Sequence, residues 1–330
     1  MTTDVPTRPA RLHGTDAPAP AADPRGADVL IPALDPRGAG TPVLASDPRG
    51  AGVLVLPARA NSTGELLADA AVARGMTVAR IAGRPVPDGL RDAGAHLYAG
   101  PRLVGAVAGD LGIAPVEPLD GWLAELPGEF RGRAVRLTTL GAARDLTGPA
   151  FVKQPREKDL PARVYEDGGR LPAGDPDTVV LVSEVVRFVV EYRLFVLDGV
   201  VRTGSRYLTF GQLDPVPLSG SAHREAVTDF AARLLDGHGH TLPSAVVVDV
   251  GLLAGDGGRD ARWGVVEANM AWYSHAYAAD VDRVLDVVLR AAGPVARLAD
   301  RDRAFVRAAP GRPERRADPV RPASGAGSPG

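Results

Sequence analysis

Ala245–Tyr273, AVVVDVGLLAGDGGRDARWGVVEANMAWY, is the stretch around which the rest of the chain is read. Two β-branched runs, Ala245 to Leu252 and Gly264 to Met270, flank a Gly/Asp loop too polar and too rich in glycine for a helix. The stretch therefore predicts a β-hairpin. Side chains alternate across a strand, so Glu267 and Asn269 share one face and Val266, Ala268 and Met270 the other. Asp249 stands in the middle of the partner strand, in an apolar run where a carboxylate is costly to bury unless it is paired or holds a cation. Three oxygen donors of this kind suit a hard cation such as Mg²⁺, which takes a few carboxylates and leaves its other positions to water and phosphate. A hairpin with one solvated face would carry the same residues, so this stretch alone leaves both readings open.

The neighbouring signal lies upstream, in Glu191–Leu208, EYRLFVLDGVVRTGSRYL. Asp198-Gly199 is the dipeptide that best fits a two-residue type I′ turn, which makes this a second hairpin. Counting outward from the turn pairs Phe195 with Arg202, Arg193 with Gly204 and Glu191 with Arg206. That parity predicts Glu191, Arg193, Arg202 and Arg206 on one face, and Tyr192, Leu194, Val196, Val201 and Thr203 on the other. Three arginines and a carboxylate on one face make either a solvated surface or an anion site, since planar guanidinium groups bind phosphate and carboxylate bidentately.

Around these hairpins the chain divides by composition. Residues 1–51 are rich in Pro, Ala and Gly and repeat DPRGA from Asp23, Asp35 and Asp47, a pattern that cannot hold a helix and offers little apolar surface to stack. They are expected to form a disordered leader, and 307–330 a disordered tail. Val53–Pro57 is a buried-strand signal. A helix follows from Asn61-Ser62, with Ser62 and Glu65 as a capping box, and Thr77–Ile81 is the next strand. A third strand over His96–Ala99 and a helix ending before Gly112 complete a small open α/β domain over 52–120. It has no GxGxxG after its first strand, hence no sign of a dinucleotide. Phe151-Val152 marks a strand carrying Lys153, either a snorkelling edge residue or a phosphate ligand, and Lys158 follows in a charged loop. Ser221–Leu235 predicts a helix with Ala222, Ala226, Phe230 and Leu234 on its inner side. The GHGH that ends it reads as a helix terminus. Val281–Ala292 is a closing helix.

Composition narrows the class of function. The formal net charge of -2 over 330 residues gives no support for nucleic acid or an acidic membrane as the main partner. The absence of cysteine excludes disulfides, zinc-thiolate sites and thiol catalysis. No apolar run approaches the roughly 20 residues that span a bilayer, and no basic-then-apolar signal opens the chain, so a cytoplasmic location is expected.

With these residues in place, the segment from about Phe151 to Leu289 resembles the ATP-grasp superfamily. The signals are FVK at 151–153, SEVV at 183–186, EYRLFVLDG at 191–199, SRY at 205–207, VVDVG at 247–251 and VVEANMAW at 265–272, in the family's order. The resemblance implies an α/β (α+β) architecture. A pre-ATP-grasp domain over 52–120 would precede an ATP-grasp fold of two subdomains, 121–182 and 183–306. It implies that Lys153 contacts ATP phosphates, that Glu184 lies in the segment linking the subdomains near the adenine, and that Glu191 sits near the ribose or orients Arg193. Arg193 and Arg206 look like the family's basic residues near the γ-phosphate and acyl phosphate. Asp249, Glu267 and Asn269 match its Mg²⁺ ligands. QPREKD stands where the family has a glycine-rich loop, and no lysine precedes Phe151 in the folded part, which leaves that role to Lys158 or to an arginine such as Arg133 or Arg136.

The activity so implied is ATP- and Mg²⁺-dependent ligation of a small-molecule or peptide carboxylate to an amine through an acyl phosphate. Phosphoryl transfer needs charge neutralisation and in-line positioning rather than a protein nucleophile, which suits these residues. A non-catalytic nucleotide-binding protein and a phosphotransferase that stops at a phosphorylated product are the two other readings.

Overall fold

A computed structural model describes residues 52–156, 160–255 and 261–308. The DPRGA leader, Lys158 and nearly all of the tail lie outside the described residues. The architecture is α/β, as expected. It begins with β1 (Val53–Pro57), α1 (Ser62–Ala73), β2 (Thr77–Ile81), β3 (Ala95–Leu97), α2 (Pro101–Leu111) and a short β4 (Ile113–Pro115). β1 lies between β2 and β3 and runs parallel to both. As the central strand it is buried from Val53 through Leu56, which is why VLVL is a continuous apolar run and not an alternating one. The cap of α1 differs from the expected capping box. Asn61 has the extended backbone of an N-cap and accepts a hydrogen bond from the Gly64 amide at 2.8 Å, while Glu65 turns away to Arg80 on β2.

Two single-turn helices, α3 (Trp122–Glu125) and α4 (Gly128–Arg131), lead into an antiparallel sheet of four strands. These are β5 (Val135–Thr139), β6 (Ala150–Lys153), β7 (Arg163–Tyr165) and β8 (Val179–Ser183), in the order β5-β8-β6-β7, with the one-turn α5 (Leu140–Ala143) following β5. A second antiparallel sheet takes in β9 (Phe188–Leu197), β10 (Val200–Thr209) and β11 (Gln212–Pro217). After α6 (Arg224–His238) it gains β12 (Ala245–Leu253) and β13 (Arg262–Asn269), giving the order β11-β10-β9-β12-β13. The chain then forms α7 (Val281–Ala291) and β14 (Ala292–Pro294). Among the described residues no helix is long and apolar enough to cross a membrane.

The two faces of the five-stranded sheet have different partners. Tyr192, Leu194, Val196, Val246, Val248 and Val250 pack with Val227, Phe230 and Leu234 of α6. That helix starts at Arg224, and its inner stripe runs through Val227 rather than the exposed Ala226. Its last residue, His238, lies edge-on to Phe130. The opposite face sends Phe195, Ala245 and Val247 into the core of the first sheet, together with Val284, Leu285 and Val288 of α7. β14 pairs with β4 and Val306 bridges to Val116. The core that begins within 52–120 is thus completed by segments between Met270 and Phe305, far along the chain.

Both predicted hairpins form, with one change of register. Asp198 and Gly199 both have positive φ, 52° and 77°, as a type I′ turn requires. β10 carries two irregularities, between Val201 and Thr203 and between Arg206 and Leu208. The first makes Arg202 an extra residue, so Phe195 pairs with Thr203, Arg193 with Ser205 and Tyr192 with Arg206. Each bulge reverses the parity beyond it. The expected pairing of Glu191 with Arg206 is therefore corrected: Arg206 lies on the Tyr192 side of the sheet, the side opposite Arg193.

Candidate active site

β12 and β13 pair with Asp249 opposite Glu267 and Val247 opposite Asn269. The irregularity in this pair falls between Asp249 and Val250 and makes Val266 the extra residue, so it leaves Asp249, Glu267 and Asn269 on one face. Asn269 Nδ2 donates to Glu267 Oε1 at 2.7 Å and to Asp249 Oδ2 at 3.2 Å, which shows the two carboxylates aimed at one point. β9 lies on the other side of β12 and places Arg193 opposite Asp249. Its guanidinium forks onto the carboxylate, Nε to Oδ1 at 2.9 Å and Nη2 to Oδ2 at 2.7 Å.

This pair is dry: Asp249 is 0% and Arg193 8% exposed. Burial costs both charges, and the carboxylate outweighs that cost in Arg193, whose pKa lies well above its ordinary value. Burial holds the Asp249 carboxyl above the usual carboxylate range, with Arg193 opposing it. The guanidinium is also packed against the rings of Tyr207 and Tyr277, 5.4 and 5.3 Å from their centroids, and these rings stack on each other at 5.2 Å. Tyr277 sits at φ 51°, a conformation that a bulky side chain seldom adopts and that sets its ring over the arginine. Tyr207, the residue exposed to this face by the second bulge, donates from its hydroxyl to Glu191 at 2.6 Å. Burial raises the Glu191 pKa against that hydrogen bond.

Lys153 comes from the other sheet. β6 ends at this residue, and its ammonium is bonded to the Glu267 carboxylate. Burial opposes ionisation of Glu267, yet the Lys153 charge and the Asn269 amide outweigh it and bring the carboxyl down to about 2. Arg133 also bridges the sheets. It donates to Ser183 Oγ on β8 and to the carbonyls of Val265 and Val266 on β13, and lies 5.3 Å from the Phe188 ring centroid. Burial lowers its pKa to about 10, with Glu191 and Glu267 pulling the other way.

Of the residues singled out in the sequence, Lys153, Glu191, Arg193, Asp249, Glu267 and Asn269 come together here, and Arg133 joins them. Arg206 does not: on the far face it pairs with Asp214 at 2.8 Å and bonds the Asp214 carbonyl. Arg136 is exposed on β5. Glu184 follows β8, where its carboxylate accepts from the Ala134 amide at 3.1 Å, and it lines a cleft with Val185, Arg187, Leu253, Ala254 and Arg262. Sequence reasoning misses Tyr207 and Tyr277. The SRY motif contains the first, but only the bulge reveals its direction, and nothing in the sequence marks the backbone of the second.

The donor set fits a small hard cation. Among the described residues no group of three or more His, Cys, Asp or Glu gathers as a metal site, so the third donor beside the two carboxylates is the Asn269 amide. Turning that amide over presents Oδ1 where Nδ2 now stands, giving three oxygens at one point.

Residues 130–287, which hold all of these side chains, match a family model described as an ATP-grasp domain, the second family of its clade. The protein belongs to the ATP-grasp superfamily by virtue of this domain. Solved structures with similar folds include the RimK domain protein ATP-grasp from Sphaerobacter thermophilus, at 16% identity and a TM-score of 0.42 over 72% of this chain and 99% of that one. The N5-carboxyaminoimidazole synthase from Aspergillus clavatus, in complex with ADP, is 13% identical with a TM-score of 0.46 over 72% of this chain and 77% of that one. D-alanine–D-alanine ligase from Bacillus anthracis is 11% identical with a TM-score of 0.39 over 72% and 95%. No curated protein matches the chain.

Proposed function

We propose that this protein is an ATP- and Mg²⁺-dependent ligase that joins a carboxylate to an amine through an acyl phosphate. The observation that carries the reading is the convergence of Asp249, Glu267 and Asn269 on one point, with the Lys153 ammonium alongside, inside an ATP-grasp domain. Mg²⁺ would be held by Asp249, Glu267 and Asn269, and there it would neutralise charge on the ATP phosphates.

The chain's own groups divide the remaining work. Lys153 is the phosphate-facing cation from the four-stranded sheet, and Arg133 adds positive charge between the sheets. Glu184 and the segment after it line the place for the base, and Glu191 accepts from Tyr207 and faces the ribose. Arg193 acts on Asp249 rather than on phosphate, since its fork is occupied by that carboxylate. It is a positioning residue that keeps Asp249 ionised and oriented.

The substrate carboxylate oxygen takes the γ-phosphoryl group and ADP departs. The amine nitrogen then attacks the acyl carbon, phosphate leaves, and the amine gives up a proton to yield the amide. No protein nucleophile is required. The test is ADP release from ATP and Mg²⁺ across a panel of amino acids and short peptides. ADP formation that requires both a carboxylate and an amine is the expected result. A phosphorylated product formed without amine would make the protein a phosphotransferase, and ATP binding without any turnover would make it a binding protein.

A further inference from the structure

Lys153 and Glu267 stand on different sheets, and their ion pair is where those sheets meet beside the carboxylate cluster. Every donor in the cluster is already matched to a protein group. Arg193 forks onto Asp249, Lys153 holds Glu267, and the Asn269 amide spans both carboxylates. A divalent cation entering by itself would meet Lys153, Arg193 and Arg133 at short range and would have to displace the amide, so like-charge repulsion opposes it. Phosphates entering without a cation would meet Asp249, Glu267 and Glu191 while the lysine meant for them is held by Glu267. Joint entry removes both conflicts: Lys153 passes from Glu267 to phosphate as Glu267 passes from Lys153 to the cation.

We propose that Lys153 is the resident counter-ion of this cation site, so that divalent cation and nucleotide bind as a unit and each is weak alone. This rests on the nucleotide-binding reading for the identity of the second ligand. By linkage, the factor by which nucleotide tightens the cation equals the factor by which the cation tightens nucleotide. The inference makes a counterintuitive demand: removing a lysine assigned to ATP should create a site for the metal alone.

The test uses Mn²⁺ as the probe, titrated into nucleotide-free full-length protein, with free Mn²⁺ read by its electron paramagnetic resonance signal. Lys153→Met should bind Mn²⁺ at least tenfold more tightly than the wild type, and Lys153→Gln should do the same should the methionine variant fold poorly. Lys153→Arg keeps the charge and should stay at the wild-type value. Adding Glu267→Gln to Lys153→Met should erase the gain. Equal Mn²⁺ affinity in wild type and the neutral variants, or an equal gain in Lys153→Arg, overturns the proposal. Because no ATP is present, the result is independent of turnover. A wild type that makes ADP, with no gain in Lys153→Met, sinks only this inference; a gain in a protein that never turns over ATP sinks only the ligase reading.

Discussion

Two cation–carboxylate pairs lie one strand apart in this molecule and are built on opposite terms. Arg193–Asp249 joins neighbouring strands of one sheet, is closed off from water, and is clasped by two tyrosine rings. Lys153–Glu267 joins two sheets and keeps part of itself in solvent, with side chains 16% and 29% exposed. The first has every partner fixed by the sheet ladder and cannot exchange without leaving a bare charge in a dry place. The second uses a single flexible ammonium at a strand end and can let go. Rigidity and exchange are thus divided between adjacent side chains: one pair shapes the site and the other responds to what enters it.

The sharpest way to break that contrast is to remove each cation in turn. Arg193→Ala strands Asp249 in the interior and should destabilise the fold by about 3–5 kcal/mol, measured by urea unfolding. Arg193→Lys should recover only part, because a point charge does not replace the fork. Lys153→Met should cost at most about 1 kcal/mol in the same assay, as expected of a pair that water reaches. Its ATP turnover should nevertheless fall by on the order of 10². Equal losses of stability in the two variants would erase the distinction.

Acid titration sharpens it further. Glu267 ionises at about 2 in the fold against an ordinary value of 4.5, so its stabilising contribution is present above about 4.5 and is lost as pH falls toward 2. The stability difference between wild type and Glu267→Gln should therefore shrink steadily across that window, and a difference independent of pH there would contradict the Lys153 pairing. The smallest effect belongs to Arg206→Ala, which removes an edge pair with Asp214 and should change stability by no more than about 1 kcal/mol. Its effect on turnover should also be far below that of Arg193→Ala; equal losses would put Arg206 back at the site.

The alternation rule was sound wherever the strand stayed regular. Glu267 and Asn269 face together because the one irregularity in their hairpin precedes them, and the βαβ opening follows directly from a continuous apolar run, a capped helix and a second strand. It failed on β10 because bulges are chosen by packing. Thr203 Oγ1 bonds the Asp280 amide, Ser205 Oγ bonds that of Ala278, and Tyr207 reaches Glu191, all through residues distant in sequence. The partner of Lys153 was illegible for the same reason: strand periodicity says which way a side chain points, but not which sheet stands across from it.

The late return of the chain to its first sheet bears on how the protein is made. On a ribosome, the strands from Val53 to Leu97 emerge long before Val284, Leu285 and Val288, the residues that cover them. The middle sheets can close while the opening one still shows bare hydrocarbon to water, so this first-born region is the last to be finished. A nascent chain halted after Ala279 would carry that uncovered surface, and it is there, rather than at the carboxylate cluster, that a holding chaperone would find its grip.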